Sequence, residues 1–171
     1  MNKLIITPKT KVYDLLEEYP QLEELLIQLA PPFKKLKNPI LRKTIAKITT
    51  LSQAAVVGSL NVEELVNRLR TEIGQTEVLI NAEETTYNTS KPNWYNDALV
   101  VKAIDIRDML HAGEQPVHEV LSAIKQLGNE DILKVIAPFI PAPLLDKSIG
   151  MEYKHWLKKI NEEHYVVYFL K

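Results

Sequence analysis

The chain has 171 residues, room for one medium domain or two small ones, and its 46% apolar and 25% charged side chains are the balance of an ordinary folded protein rather than a disordered or membrane-embedded one. Its 21 basic and 22 acidic side chains give a net charge of -1, which exerts no overall pull toward nucleic acid or an anionic membrane. It contains no cysteine, so disulfides, thiolate nucleophiles and cysteine-ligated zinc or iron–sulfur sites are excluded.

The charge is unevenly spread. Residues 1–75 hold 11 Lys and Arg against 8 acids, a net of +3, and the remainder holds 10 against 14, a net of -4. Opposite signs suggest two units. No run approaches the roughly 18 apolar residues of a membrane helix, and Met1 to Thr10 lacks the long apolar core of a secretory signal. A cytoplasmic protein without membrane contact is expected.

Residues 1–74 read as a bundle of short helices. Thr10 is placed to cap a first helix over Val12 to Glu18. Pro20 suits the first position of a second, carrying Leu22, Leu25, Leu26 and Leu29 at helical spacing, and Pro31 and Pro32 stop it. Asn38 and Pro39 predict the start of a third helix with Leu41, Ile45 and Ile48 on one face. A fourth is expected over Leu51 to Val57, ended by Gly58. A fifth follows Asn61 as cap, with Glu64 three residues on and Gly74 as its stop.

Residues 75–97 read as a polar linker, because Glu83, Glu84, Thr85, Thr86, Asn88, Thr89, Ser90 and Pro92 show no useful periodicity. Trp94 and Tyr95 are the residues in it that suit contact with a domain.

Residues 98–171 then alternate strand and helix. The expected elements are a strand over Leu99 to Ile106, a helix over Pro116 to Leu127, a strand over Ile132 to Ala137, a short helix over Pro141 to Ile149, and strands over Tyr153 to Ile160 and Tyr165 to Leu170. The order β-α-β-α-β-β implies a two-layer sandwich with both helices on one sheet face. The class is α+β, with a helical bundle followed by the sandwich. The edge carrying the loops after the first two strands is where a site is expected.

These residues resemble known families. Ile104, Asp105, Ile106 and Arg107, a turn ending in Pro116 and Val117, then Phe139, Pro141, Pro143 and Leu144, and finally Gly150, resemble the TusA-like (SirA-like) sulfur-carrier fold. They resemble more closely a sister family of domains of unknown function. In the sulfur carriers the turn reads Cys-Pro-x-Pro and the cysteine holds a persulfide; here it reads Gly113, Glu114, Gln115, Pro116. Sulfur transfer by that cysteine is not carried over. Val12, Leu15, Leu16, Tyr19 and Pro20, with the run Leu36 to Thr44, resemble a small helical domain of unknown function whose relatives include the redox-disulfide domains associated with hybrid-cluster proteins. The cysteine pair of the redox members is replaced around Ala30 to Phe33. The two resemblances imply partners in sulfur, redox or nitrogen-oxide metabolism.

Two candidate sites follow. From Pro31 to Val62 there is no acid, while Lys34, Lys35, Lys37, Arg42, Lys43 and Lys47 surround the helix start at Asn38, a pattern that suits a phosphate, a carboxylate or an acidic protein. A solvated basic face explains the same pattern. Nucleic acid is not the expected partner, because interleaved aromatics are missing. The second candidate gathers Arg107, His111, Gly113, Glu114, Pro116 and His118 near one helix start, with Phe139 in a rigid apolar loop on the same edge. An acid–base pair drawn from His118 and Glu114 lacks a nucleophile or cofactor motif. Asp105 and Arg107, two apart on the expected strand, also suit ordering of the following turn.

His111, His118, His155 and His164 match no zinc-binding spacing, so neither metal nor cofactor is expected. Trp156 is expected to face away from His155 and Leu157, where exposure, packing on the helical unit and contact with another subunit all remain open; a homo-oligomer is therefore among the expected assemblies. The expected function is non-enzymatic: an accessory or binding protein for a protein partner or a small anionic ligand. The alternative is a cysteine-independent enzyme, or a metal or haem carrier, using His118, Glu114 and Arg107.

Overall fold

The computed structural model describes residues 3–80 and 87–171. Glu83, Glu84, Thr85 and Thr86, the centre of the expected linker, lie outside the described residues. The chain forms two compact units, Met1–Thr85 and Thr86–Lys171.

The first unit is helical: α1 Val12–Glu18, α2 Leu22–Leu29, a 3-10 segment Pro31–Lys37, α3 Pro39–Leu41 running into a π turn Arg42–Ala46, α4 Leu51–Val57 and α5 Val62–Glu72. Val12, Leu15, Leu22, Leu51, Val66 and Leu69 are wholly buried in one apolar core. Asn38 accepts the Ile40 N–H at 2.9 Å and Asn61 accepts those of Glu63 and Glu64 at 2.9 and 3.2 Å, so both residues cap as expected.

Thr10 does not cap α1. Its hydroxyl oxygen accepts the Thr7 N–H at 2.9 Å instead. Lys11 holds the cap position without a side-chain bond, and the Val12 N–H donates to the Thr49 carbonyl at 2.9 Å. The start of α1 is satisfied by a segment almost forty residues away, and the Leu51 N–H returns the bond to the Thr10 carbonyl at 2.9 Å. Pro20 lies in the turn before α2, which begins only at Leu22, and Pro31 and Pro32 both end α2 and open the 3-10 segment. The third helix is α-helical over three residues only; beyond them the Thr44 hydroxyl donates back to the Ile40 carbonyl at 3.0 Å.

Residues at both ends of the expected linker are tied to their own units. In the first, Asn67 exchanges bonds with Val78 at 2.8 and 2.9 Å, and the buried Arg70 donates to the carbonyls of Thr76 and Ile6, both at 2.6 Å.

The second unit runs β1 Val100–Asp105, α6 Ile106–His111, α7 Pro116–Lys125, β2 Ile132–Ala137, α8 Ala142–Gly150, β3 Lys154–Asn161 and β4 His164–Leu170. Its sheet has the order β1-β2-β4-β3, with β1 and β2 parallel and the other pairs antiparallel. The chain is thus a mixed α+β protein. Its order departs from the expected one at Ile106, which does not end the first strand but begins α6. Asp105 is the cause: its carboxylate accepts the Arg107 N–H at 3.1 Å and turns the strand into a helix.

Each face of the sheet is buried, by different means. Leu133, Val135, Ala137, Leu157, Val167 and Phe169 share one face, where helices pack on β2 and β3. Ile132, Trp156, Val166, Tyr168 and Leu170 share the other, covered by Trp94, Tyr95 and Leu99 from the stretch before β1. Trp156 keeps 7% of its surface exposed, so the expectation that it lies bare or docks elsewhere is corrected. Tyr95 meets Trp156 and Tyr168 edge-on at 4.8 and 4.6 Å, and Trp156 stacks on Tyr168 at 5.2 Å.

Four helices end in the same way, with a left-handed residue whose N–H bonds three residues back and a following N–H that bonds five back. The left-handed residues are Ser59 (φ 55°) after α4, Gly74 (φ 76°) after α5, Gly113 (φ 79°) after α6 and Glu152 (φ 62°) after α8. Gly58, expected to supply this turn after α4, is right-handed at φ -84°. Its role is close approach: a Cβ there would lie 2.7 Å from the Ala30 Cβ.

Ser59→Gly and Glu152→Gly, both at exposed positions, are each expected to stabilise their unit by about 0.5–1 kcal/mol, the left-handed cost less the added freedom of the unfolded chain. Gly58→Ala is expected to destabilise by about 1–3 kcal/mol through overpacking. Denaturant unfolding of the three variants measures both signs; a neutral Gly58→Ala would remove the close-approach account.

Candidate functional site

Asp105 and Arg107 do not share a strand face. Asp105 is the last residue of β1 and Arg107 lies in the first turn of α6. The guanidinium grips the carboxylate with two bonds, Nε to Oδ1 at 2.9 Å and Nη2 to Oδ2 at 2.7 Å. These side-chain bonds hold the Asp105 carboxyl below the usual carboxylate range and raise the Arg107 guanidinium in turn. The first helix start after β1 is therefore occupied by the chain's own carboxylate.

α6 carries the chain onward before the candidate turn is reached. At about 1.5 Å per residue, six residues move it roughly 9 Å along the helix. His111 ends α6, Gly113 closes it, and Glu114 and Gln115 lead to Pro116, the buried first residue of α7. The Gly113 N–H donates to the Leu110 carbonyl at 3.1 Å and the Glu114 N–H to the Met109 carbonyl at 2.9 Å, so the backbone of the turn is determined. His111, Gly113 and Glu114 are exposed on it, and His118 is exposed in the first turn of α7. Phe139, half-buried, lies three residues beyond Ile136, which pairs with Asp105, so its loop leaves the edge at which β1 ends.

The basic stretch is largely engaged within the first unit. Lys37 pairs with Glu24 at 3.0 Å, and Arg42 pairs with Glu23 at 3.1 Å while reaching the Leu16 carbonyl at 3.5 Å. Lys47 lies over the Tyr13 ring at 5.0 Å. Asn38 uses its side-chain oxygen on its own helix, and that helix is only three α residues long. Lys35 is half-buried and Lys43 is exposed. Acids of α2, remote in sequence, neutralise charges that the stretch itself leaves unbalanced.

A further cluster escaped the sequence reading. Tyr87, buried, donates its hydroxyl to Asp146 of α8 at 2.8 Å and meets the His155 ring edge-on at 6.0 Å. The Asn88 N–H donates to His155 Nε2 at 3.0 Å, the Leu157 N–H donates to the Asn88 carbonyl at 2.8 Å, and the Trp156 indole N–H donates to the Thr89 carbonyl at 3.2 Å. Burial pushes the His155 imidazole down and, aided by Asp146, the Tyr87 hydroxyl up. Nothing in the sequence around residue 87 announces this, since Tyr87 stands alone among polar residues and its partners are more than fifty positions away. Among the described residues no group of three or more His, Asp or Glu is placed to hold a metal ion, and no helix is long and apolar enough to cross a membrane.

Asp105→Ala is expected to cost about 1 kcal/mol of stability through the lost cap. Asp105→Asn is expected to cost less, because its amide oxygen still accepts the Arg107 N–H. A depressed carboxyl contributes stability that is present above its unfolded value, about 3.9, and is lost as pH falls through the folded value. The difference between wild type and Asp105→Asn should therefore close below about pH 4. Unfolding curves at neutral and acid pH test this, and a difference that persists in acid would rule out the charge pair as its source.

Neither the curated proteins nor the solved structures gave a match to the chain. A family model matches residues 6–66, within the first unit, and bears out the resemblance read from its helices. That family is described as Domain of unknown function (DUF1858).

Proposed function

We propose that the chain is a non-enzymatic binding or accessory protein, that its contact surface is the turn between α6 and α7, and that its partner is a protein. The observation that carries this reading is the turn itself. Gly113 and Pro116 determine its backbone, and it presents His111, Glu114 and His118 to solvent. Acid–base catalysts work in desolvated clefts where neighbours tune them. Arg107, the cation that an anion-handling site would use, is held by Asp105 on two bonds. On the first unit, Lys37 and Arg42 already face Glu24 and Glu23, which favours a protein over a small anion as the bound species.

The strand order β1-β2-β4-β3 with a parallel first pair supports a TusA-like reading of the second unit. α6 is a departure from the simple β-α-β-α-β-β order, and it stands at the turn where the carriers keep their cysteine. With Gly113 at that place, the unit keeps the fold's surface without its sulfur chemistry. A role beside sulfur, redox or nitrogen-oxide enzymes is what the two resemblances imply.

The test is cross-linking of gently purified full-length protein, with native and denaturing mass spectrometry alongside. A co-purifying protein is expected to cross-link within residues 111–118. The pair Glu114→Lys and His118→Glu should reduce its recovery about tenfold or more while the thermal midpoint stays unchanged. Recovery unaffected by the two substitutions would overturn the reading. A small-molecule or metal mass lost on denaturation and abolished by His118→Ala would replace it with the carrier or enzyme alternative.

A further inference from the structure

We propose that residues 87–90 are a proton-released strap, held on the edge of β3 by neutral His155 and let go when His155 is protonated, which frees the indole of Trp156.

The geometry determines the charge state. A backbone N–H donates and never accepts, so the 3.0 Å bond from the Asn88 N–H requires a lone pair on His155 Nε2. The ring is therefore neutral, with its proton on Nδ1. A proton added at Nε2 sets N–H against N–H and removes the bond. Asn88 is the pivot of the strap: its N–H meets the ring, its carbonyl accepts the Leu157 N–H at 2.8 Å, and its side-chain amide donates to the His155 carbonyl at 3.4 Å. The next residue, Thr89, accepts the Trp156 indole N–H at 3.2 Å. Losing the first bond loosens the residue that makes the next two and adjoins the fourth.

The surroundings of His155 do not offset a positive charge. The strap contributes Tyr87, edge-on at 6.0 Å. β4 contributes Phe169, fully buried and directly opposite. Of the two charged residues of α8, Asp146 is occupied by the Tyr87 hydroxyl at 2.8 Å and Lys147 is exposed; on β3 itself the neighbouring Lys154 is exposed and of the same sign. Burial lowers His155 from its ordinary value, so a proton binds the open strap more readily than the closed one. The sign follows. The closed strap is fully favoured above the ordinary imidazole value, about 6.5, and opening gains up to about tenfold per pH unit from there down to the closed-state value.

Amide hydrogen exchange on the full chain tests this, with protection corrected for the intrinsic pH dependence of exchange. Between about pH 7 and about pH 5.5, protection at Asn88 and Leu157 should fall several-fold, to at most about tenfold, while Val167, laddered on both sides within the sheet, keeps its own. His155→Gln retains an acceptor near the Nε2 position and does not titrate, so its strap should stay protected at both pH values. His155→Phe lacks an acceptor and should be loose at both. Wild-type protection that does not change, that falls equally in His155→Gln, or that falls together with Val167 would overturn the proposal. Should the variants fail to fold, the nitrogen chemical shifts of His155 in the wild type decide it. An unprotonated Nε2 at neutral pH, titrating in step with the loss of Asn88 protection, is the expected result, and an Nε2–H tautomer at neutral pH is the refuting one.

Discussion

The second unit depends on how its sheet is closed on the side away from the helices. β4 is apolar on both faces, and β2 and β3 add Ile132 and Trp156 to the helix-free one. A four-stranded sheet with such a face has to cover it, because burial of each large side chain is worth about 1.5–3 kcal/mol. The chain uses residues 87–99 for the purpose. Trp94, Tyr95 and Leu99 lie over the sheet as an aromatic and aliphatic layer, and Asn88 and Thr89 tie the edge of β3 through hydrogen bonds. A stretch that reads as polar linker is in part the missing layer of a sandwich.

That closure decides which surfaces remain open. The Trp156 face is satisfied within the chain, so it offers no bare platform for a second subunit. The edge of β3 is bonded by Asn88, while β1 lies at the other end of the sheet, with Val101 58% exposed and Lys102 beside it at a register irregularity. A lysine and a broken register on an edge strand discourage pairing with another chain. The turn from His111 to Gln115 is exposed throughout.

Charge follows the same economy. The basic run from Lys34 to Lys47 looks unopposed along the sequence, yet Glu23 and Glu24 of α2 meet Arg42 and Lys37. Asp105 and Arg107, whose spacing suits the ordering of the following turn, serve the strand-to-helix transition. In each case the partner was a few residues away or one helix back, and helical phase had to be known before the pairing was visible. α6 was missed for a related reason. Ile104 and Ile106 continue an apolar alternation across Asp105, which is the pattern of a strand.

The sequence by itself determined what repeats locally: α1, α4 and β2 at their residues, the caps at Asn38 and Asn61, the closure at Gly74, the helix start at Pro116, and the absence of any thiol. These follow from side-chain period, capping chemistry and backbone freedom, all of which act within a turn or two of the chain. Only the tertiary structure decided that Thr49 satisfies the start of α1, that Gly58 makes room for Ala30, that Glu23 neutralises Arg42, and that the Asn88 N–H donates to His155. Those contacts join residues 19 to 67 positions apart. Nothing local encodes them, because each residue's type suits many partners and only the packed chain selects one.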